Sequence, residues 1–468
     1  MCITPGGDCK MKHIFRAYDI RGIWGKDLDI PLCLDIGRGL GSFLVSDLGI
    51  DRVAVGYDVR TTSPAFHGAL TAGLLSTGVD VISTGMCSFG VAMFAGLKSG
   101  SGASCFITAS HLEPEWNGLK VYFGDGVGFP EEHIMAVRDR VLSGEFSPVD
   151  WKEMGHISHE DHLPGYVDFW SSRYGSFLKG GDPLRVGVDC GGGAMTLSAG
   201  RVLRAAGLDV RMVNGEKDPF FRGRPSEPKP ENLGRLRELV LDEQLAFGVA
   251  FDGDGDRAVV VDDAGEFLST DRLGIILASS LVKRHGGGMV LANVESSMAV
   301  EDVLVPLGAR VKRIKVGHTF LTLEAKKEGA IFGVERSGHL IIPEHVLFDD
   351  AITAPLELAR ILKEEGKSLS GLASGVPQYP SLSRAFDCPD SIKFRVLDEL
   401  REEFIEAYDR VNTMDGVRVD LDDGWVLIRC SNTSPVIRMT VEARSDGKLR
   451  SIEREFGEIL GSRIASNG

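Results

Sequence analysis

Three aspartates alternate with glycine in Asp252-Gly253-Asp254-Gly255-Asp256, and Arg257 follows directly. Carboxylates set this close repel one another unless something cancels their charge, and a hard divalent cation with oxygen ligands does so. The glycines permit the sharp bends that bring all three side chains together. Mg²⁺ seldom takes an all-protein cage, so such a loop leaves positions for phosphate oxygens or water. A calcium loop of the EF-hand type is one rival, but its pattern needs Gly at the sixth position and Glu at the twelfth, where Arg257 and Asp263 stand. An acidic turn with no metal is the other.

Three further segments carry reactive or binding groups. Thr108-Ala109-Ser110-His111, with Asn117, Gly118 and Lys120 downstream, places a hydroxyl where it can act as a nucleophile beside a charge-balancing metal. A serine at a strand end is also an ordinary turn residue, and adjacent Ser and His do not form a triad, which is a matter of geometry. Glu335-Arg336-Ser337-Gly338-His339 combines an acid, a hydroxyl and an imidazole around a glycine, a set suited to sugar hydroxyls. Arg429-Cys430-Ser431-Asn432-Thr433, with Arg438 nearby, offers guanidinium, hydroxyl, amide and backbone donors that suit a phosphate dianion, or form a plain polar hairpin loop.

Two segments imitate sites. His156, His159 and His162, with Glu160 and Asp161, have the composition of a zinc cluster, yet Pro164 and Gly165 follow closely and the stretch reads as a solvated connection between domains. Gly191-Gly192-Gly193 does not satisfy G-x-G-x-x-G and reads as a tight strand-to-helix turn.

The elements that carry these loops repeat along the chain. Residues 52–58 read as a short buried strand, a helical stretch follows to Thr77, a second strand spans 79–83, and a third, 103–109, ends at Ser110-His111. The same order recurs at 184–189, 208–213 and 245–251, ending at Asp252, and again at 288–294, 309–316 and 330–334, ending at Glu335. Short apolar strands alternating with helices predict largely parallel sheets covered on both faces, which bind ligands beyond the carboxyl ends of their strands. After about Gly371 the pattern changes to hairpin strands around Asp422-Asp423-Gly424 and a closing helix. The expected architecture is therefore three similar mixed, largely parallel α/β/α domains (1–152, 153–257, 258–370) plus a C-terminal α+β domain (371–468), arranged around a central cleft.

Composition narrows the partners. The chain has 52 basic and 67 acidic residues, a net charge of −15, which argues against nucleic acid or an anionic membrane. Its 58 glycines in 468 residues exceed the ~7% usual frequency and imply many tight turns or backbone-lined sites. No apolar stretch approaches the ~20 residues of a membrane span, and the N-terminal residues lack a signal-peptide core. Eight scattered cysteines without a C-x-x-C pair predict neither a disulfide framework nor a thiolate zinc site, hence a reduced cytoplasmic protein.

The four loops, in this order and over essentially the whole chain from Phe15-Arg16-Ala17-Tyr18-Asp19-Ile20-Arg21-Gly22 onward, resemble the α-D-phosphohexomutase family, most closely its phosphomannomutase/phosphoglucomutase branch. The resemblance implies that Ser110 carries a phosphoryl group and, with Asp252, Asp254 and Asp256, holds Mg²⁺. Glu335, Ser337, Gly338 and His339 would grip sugar hydroxyls, while Arg429, Ser431, Asn432 and Thr433 would hold the phosphate that is not reacting. Arg21, His111 and Lys120 match positions around the transferring phosphate, and Tyr18, Arg257 and His318 match others that line the cleft. The implied reaction interconverts the 1- and 6-phosphates of mannose or glucose through a hexose 1,6-bisphosphate, in a monomer or homodimer whose last domain is the expected mover.

The sequence also departs from the family. Leu112-Glu113 stand where Asn-Pro usually follows the Ser-His pair, removing an asparagine that shapes the loop. Ser434 replaces a frequent Glu, and Glu295 occupies a position that is basic in some bifunctional members. Asn432 counts against the phosphoglucosamine branch, which tends to carry Gly there. A Mg²⁺-dependent phosphatase using the same serine, and a catalytically impaired sugar-phosphate-binding protein, are the alternatives.

Overall fold

The apolar runs RVAVGY, RVGVD and GMVLAN become the central strands of three separate sheets in a computed structural model that describes residues 12–431 and 435–467. The first sheet contains β1 (Asp19–Ile23), β2 (Arg52–Tyr57), β3 (Asp80–Met86), β4 (Ala103–Ile107), β5 (Trp116–Phe123) and β6 (Ile157–His159), in the order β1-β5-β4-β2-β3-β6. The second contains β7 (Arg185–Asp189), β8 (Asp209–Val213), β9 (Phe247–Phe251), β10 (Ala258–Asp262) and β11 (Phe267–Leu268), ordered β11-β10-β9-β7-β8. The third, β13-β12-β14-β15, uses β12 (Gly288–Asn293), β13 (Ala309–Ile314), β14 (Phe332–Val334) and β15 (Leu340–Ile341).

The repeat read from the sequence is explicit in the pairing. In each sheet the first strand of the unit is central, the second and third flank it in parallel, and the next strand returns antiparallel beside the third. The loop joining the third strand to its antiparallel return is therefore equivalent in all three domains, and it is the loop that carries Ser110, Asp252 or Glu335. The fourth sheet is wholly antiparallel, β16-β20-β19-β18-β17, from β16 (Ser381–Asp387), β17 (Val411–Asn412), β18 (Val417–Leu421), β19 (Gly424–Cys430) and β20 (Val436–Ala443).

Packing separates the domains into two bodies. One continuous apolar cluster runs from Phe89, Phe106 and Tyr122 of the first domain through Trp170 and Val188 to Phe332 and Ile352 of the third. The helix Thr353–Glu365 is its axis, with every residue from Thr353 to Leu362 buried, and Tyr174 donates from a neighbouring helix to Glu357 at 2.9 Å. The C-terminal domain has its own core and meets the third domain through the small cluster of Val294, Trp425 and Leu427. Polar contacts reinforce that junction: Arg418 donates to the Val294 carbonyl at 2.6 Å, and Glu442 accepts from Met298 N and Trp425 Nε1, both at 2.8 Å.

The histidine-rich connection is extended rather than helical. Ile157–His159 adds parallel to β3 as an exposed edge strand, and His162 pairs with Glu160 at 3.0 Å. No helix among the described residues is long and apolar enough to cross a membrane.

His67 illustrates how burial sets acid sensitivity. It lies on the helix Ser63–Leu75, its Nε2 3.0 Å from Ser83 Oγ, and burial, with His159 nearby, pushes its pKa down to about 4 from 6.5. Below 6.5 the unfolded chain binds a proton that the fold refuses, so this contribution is complete above that pH and is lost on descent toward about 4. We expect a loss of about 2 kcal/mol from this group, discounted for its partial exposure. His67→Gln should flatten the fall in melting temperature between neutral pH and pH ~4.5; an unchanged slope would assign acid lability elsewhere.

Candidate active site

Ser110 follows β4 and is fully buried at φ 52°, in the left-handed region that non-glycine residues rarely occupy. Its N–H donates to Thr108 Oγ1 at 2.8 Å, and its carbonyl accepts from Ser226 Oγ at 3.0 Å and Arg60 at 2.9 Å. This conformation turns the hydroxyl toward the second domain, where Ser110 Oγ donates to Asp252 Oδ2 at 3.0 Å. A Cβ on Gly253 would stand 2.5 Å from the Ser110 carbonyl oxygen, so only glycine lets the two loops meet. His111 Nδ1 lies 3.4 Å from the same hydroxyl, and burial, with Arg257 and Arg21 adding, pushes its pKa down to about 2. His111 is thus a neutral imidazole.

The three aspartates of the second-domain loop converge as the sequence predicts. Their ligand oxygens lie within 4.8 Å of one another, and all three side chains are buried. Asp252 Oδ1 accepts from the backbone N–H groups of Gly255 and Arg257 at 3.0 and 3.3 Å, which fixes the bend. Asp254 Oδ1 and Asp256 Oδ1 find no hydrogen-bond partner among the described residues. Orphaned, buried carboxylate oxygens grouped in this way fit a hard divalent cation.

Lys120, on β5 and 1% exposed, supplies the opposing charge inside the protein. Its Nζ bonds Asp254 Oδ2 at 2.9 Å and also Asp256 Oδ2. Burial works against the ammonium, yet Asp254 and Asp256 outweigh it and hold its pKa above the usual lysine value. Burial, then Asp256 and Asp254, push the Asp252 carboxyl well above the ordinary range. For Asp256 burial acts in the same sense, but Lys120, His339 and Arg257 outweigh it and hold that carboxyl well below. The three carboxylates thus face Lys120 and, 3.9 Å from Asp256, the Arg257 guanidinium.

The third-domain loop closes the other side. Gly338 takes φ 109° and turns the chain so that His339 faces inward, where its Nε2 accepts from Arg257 Nε at 2.9 Å. Its Nδ1 lies 2.5 Å from Asp349 Oδ2. Glu335 Oε1 accepts from Gly317 N at 2.8 Å, while Oε2 is buried without a partner among the described residues, and burial raises this carboxyl. His318 Nδ1 and the Tyr122 hydroxyl are 2.7 Å apart, and the Tyr18 ring stands edge-on to His318 at 5.1 Å. Burial, then Lys120 and His339, pull the His318 pKa well below its usual value. Arg21 pairs with Asp19 at 2.7 Å. Ser337 is exposed at the loop tip.

The remaining predicted residues lie farther out. A cleft of about 1180 Å³ is lined by Tyr18, Arg336, Glu295, Arg429, Ser431 and Arg438 among others, and Ser110 does not line it. Arg429 is already held there: Glu295 Oε1 of the third domain is 2.5 Å from one terminal nitrogen, and Asp415 Oδ2 is 3.0 Å from the other. Asn432 and Thr433 lie outside the described residues, as does Ser434. The predicted set thus divides into a buried group around Ser110 and an outer group at Arg429, with Tyr18 touching both. Sequence reasoning did not single out Asp349, Tyr122, Asp58 or Arg60. The only local signal for Asp349 is an acidic doublet, Asp349-Asp350, just past the His339 loop.

A buried hydroxyl against an acidic loop, between a cationic floor and an arginine-lined cleft, has the charge distribution that phosphoryl transfer requires. Comparison with known proteins agrees throughout the chain. Residues 12–148, 164–265 and 269–379 match alpha/beta/alpha domains I, II and III of phosphoglucomutase/phosphomannomutase, and 386–459 match its C-terminal domain. A probable phosphoglucosamine mutase of Methanopyrus kandleri is 36% identical, over 96% of this chain and 98% of its own length. A phosphoglucomutase/phosphomannomutase of Thermococcus kodakarensis is 33% identical, over 94% and 96%. The crystal structure of a phosphoglucomutase/phosphomannomutase family protein from Burkholderia thailandensis superposes with a TM-score of 0.88 at 30% identity, covering 97% of this chain and 98% of that one. The chain belongs to the α-D-phosphohexomutase family, and its enzymatic class is that of the mutases, which are intramolecular phosphotransferases.

Proposed function

We propose that the protein interconverts hexose 1-phosphate and hexose 6-phosphate through a phosphoserine at Ser110. The observation that carries this reading is the 3.0 Å contact of the buried Ser110 hydroxyl with Asp252, where the loops of the first two domains touch. The phosphoryl group on Ser110 Oγ passes to the free hydroxyl of the sugar, so that the P–Oγ bond breaks and a P–O bond to the sugar forms. The proton of that hydroxyl leaves to a base, and Glu335 Oε2 is a buried carboxylate oxygen without a partner among the described residues, beside His339, whose basicity burial raises. The hexose bisphosphate then turns over in the cleft, Ser110 Oγ takes the other phosphoryl group, and the sugar oxygen it leaves regains a proton. When held by Asp252, Asp254 and Asp256 with Ser110, Mg²⁺ supplies positive charge to the transferring group. Lys120 adds a fixed charge to the same end, and Arg429, Ser431 and Arg438 face the distal phosphate across the cleft.

The sugars this reading covers are mannose and glucose. Glucosamine is a second reading, favoured by the Methanopyrus kandleri relative's name against the indication of Asn432. The test is phosphorus NMR of the protein with Mg²⁺, a trace of hexose 1,6-bisphosphate, and in turn mannose, glucose and glucosamine 1-phosphate. Appearance of the corresponding 6-phosphate without inorganic phosphate is the expected result. Inorganic phosphate as the main product would replace the mutase by a phosphatase, and no conversion of any sugar would leave a sugar-phosphate-binding protein.

A further inference from the structure

Leu112 and Glu113, which stand where the family usually has Asn-Pro, contribute backbone carbonyls to one buried cation from outside the loop. Arg60 is 0% exposed, and its guanidinium lies inside the turn that follows Ser110. One terminal nitrogen donates to the carbonyls of Ser110 at 2.9 Å and Leu112 at 2.7 Å; the other donates to Trp116 at 3.2 Å and to Glu113. Nε donates to Asp58 Oδ2 at 3.0 Å, which occupies the last of its five N–H groups. Asp58 is equally enclosed and accepts from Ser63 Oγ at 2.6 Å and Thr108 Oγ1 at 2.9 Å. Thr108 in turn accepts from the Ser110 N–H, so the ion pair reaches both peptide groups of Ser110.

Residues 110–115 belong to no helix or strand, and a free loop would relax Ser110 out of the left-handed region. A buried cation that spends its terminal donors on carbonyls between Ser110 and Trp116 opposes the relaxation. The second domain repeats the device next to its own site loop. Arg224, 4% exposed, pairs with Asp189 at the end of β7 and donates to the Phe251 carbonyl at 2.6 Å, one residue before Asp252.

We propose that Arg60 is the positioning residue of the Ser110 loop. Its guanidinium takes the place of a side-chain bond from within the loop and aims Ser110 Oγ at the metal-binding carboxylates. The proposal rests on the reading of Ser110 as the phosphoryl carrier. A lysine keeps the charge beside Asp58 but has three donors on a point-like head and cannot span four carbonyls.

The test compares Arg60→Lys and Arg60→Ala with the wild-type protein by amide hydrogen exchange and mutase kinetics. In Arg60→Lys, exchange across residues 110–117 should rise by about tenfold or more while β2 and the helix Ser63–Leu75 stay protected. Turnover should fall by about 100-fold with KM for the hexose phosphate within about threefold, the signature of a misplaced nucleophile rather than a lost binding group. Methylguanidinium should restore about tenfold or more of the activity of Arg60→Ala and none of that of Ser110→Ala. Wild-type turnover in Arg60→Lys, or exchange rising equally over the whole first domain, would overturn the proposal. If the wild-type protein shows no mutase activity, the phosphoserine reading fails by itself, and the exchange pattern still decides whether Arg60 holds the loop.

Discussion

Ser110→Ala should lower mutase turnover by at least about 10⁴-fold, because on the proposed reaction the phosphoryl group then has no covalent station and the reaction cannot be divided into two transfers. The fold should tolerate the change. The Ser110 hydroxyl bonds Asp252 and lies 3.4 Å from His111 Nδ1, and an alanine can hold the same backbone bonds to Thr108, Ser226 and Arg60. Its loss leaves one buried carboxylate oxygen unpaired, about 1–3 kcal/mol in the metal-free protein. Intact mass after incubation with hexose 1,6-bisphosphate gives an independent reading: wild type should gain a single phosphoryl group and the variant none. A variant that still turns over, or still gains phosphate, removes Ser110 from the chemistry.

Lys120→Met has the second large effect, and it acts on stability as well as rate. Lys120 is the ammonium that meets Asp254 and Asp256 directly, and all three side chains are buried. Removing it leaves carboxylates facing one another in a medium that solvates them poorly, which costs about 3–5 kcal/mol in protein stripped of divalent ions. On the proposed reading Mg²⁺ would replace the missing charge, so the variant should recover most of that loss on adding it, and its melting temperature should respond to Mg²⁺ far more than that of wild type. Turnover with Mg²⁺ present should still be down by about 10²–10³-fold, since a fixed cation near the transferring group is gone. Thermal unfolding in EDTA and in Mg²⁺ separates the two effects. Equal melting temperatures for variant and wild type in EDTA would show that the acidic loop needs no internal counter-charge.

The parts of this architecture legible in the sequence are those that local pattern controls. Buried parallel strands must be short and apolar, so β2, β7 and β12 could be located from residues 52–58, 184–189 and 288–294, and each site loop followed from its place after a third strand. The glycines of the acidic loop announced its bends, and the convergence of its carboxylates followed from electrostatics alone. Arg60 was hidden for the opposite reason. Its carbonyl partners lie at positions 110–116, some fifty residues away, and the nearby Asp58 does not by itself distinguish a buried guanidinium from a surface one. The same holds for Asp349, which meaning accrues to only once His339 is beside it. The pairing of Ile157–His159 with β3 was likewise illegible, because an exposed edge strand needs no apolar pattern and borrows its order from the ladder.

Arg429 does not wait in the cleft as an unpaired cation. With Glu295 on one nitrogen and Asp415 on the other, a phosphate reaching it in the proposed reaction would trade places with an anion already there. Such an exchange gains only the difference between two ion pairs of similar strength, not the whole of one. The same balance governs departure, since Glu295 stands ready to take back the guanidinium as the phosphate leaves. For a bisphosphate that must be released, inverted and gripped again by its other end, a tightly binding pocket would be a trap. On the proposed reaction, a carboxylate at position 295 keeps the residence time of either end short while the geometry of the arginine still selects a phosphate.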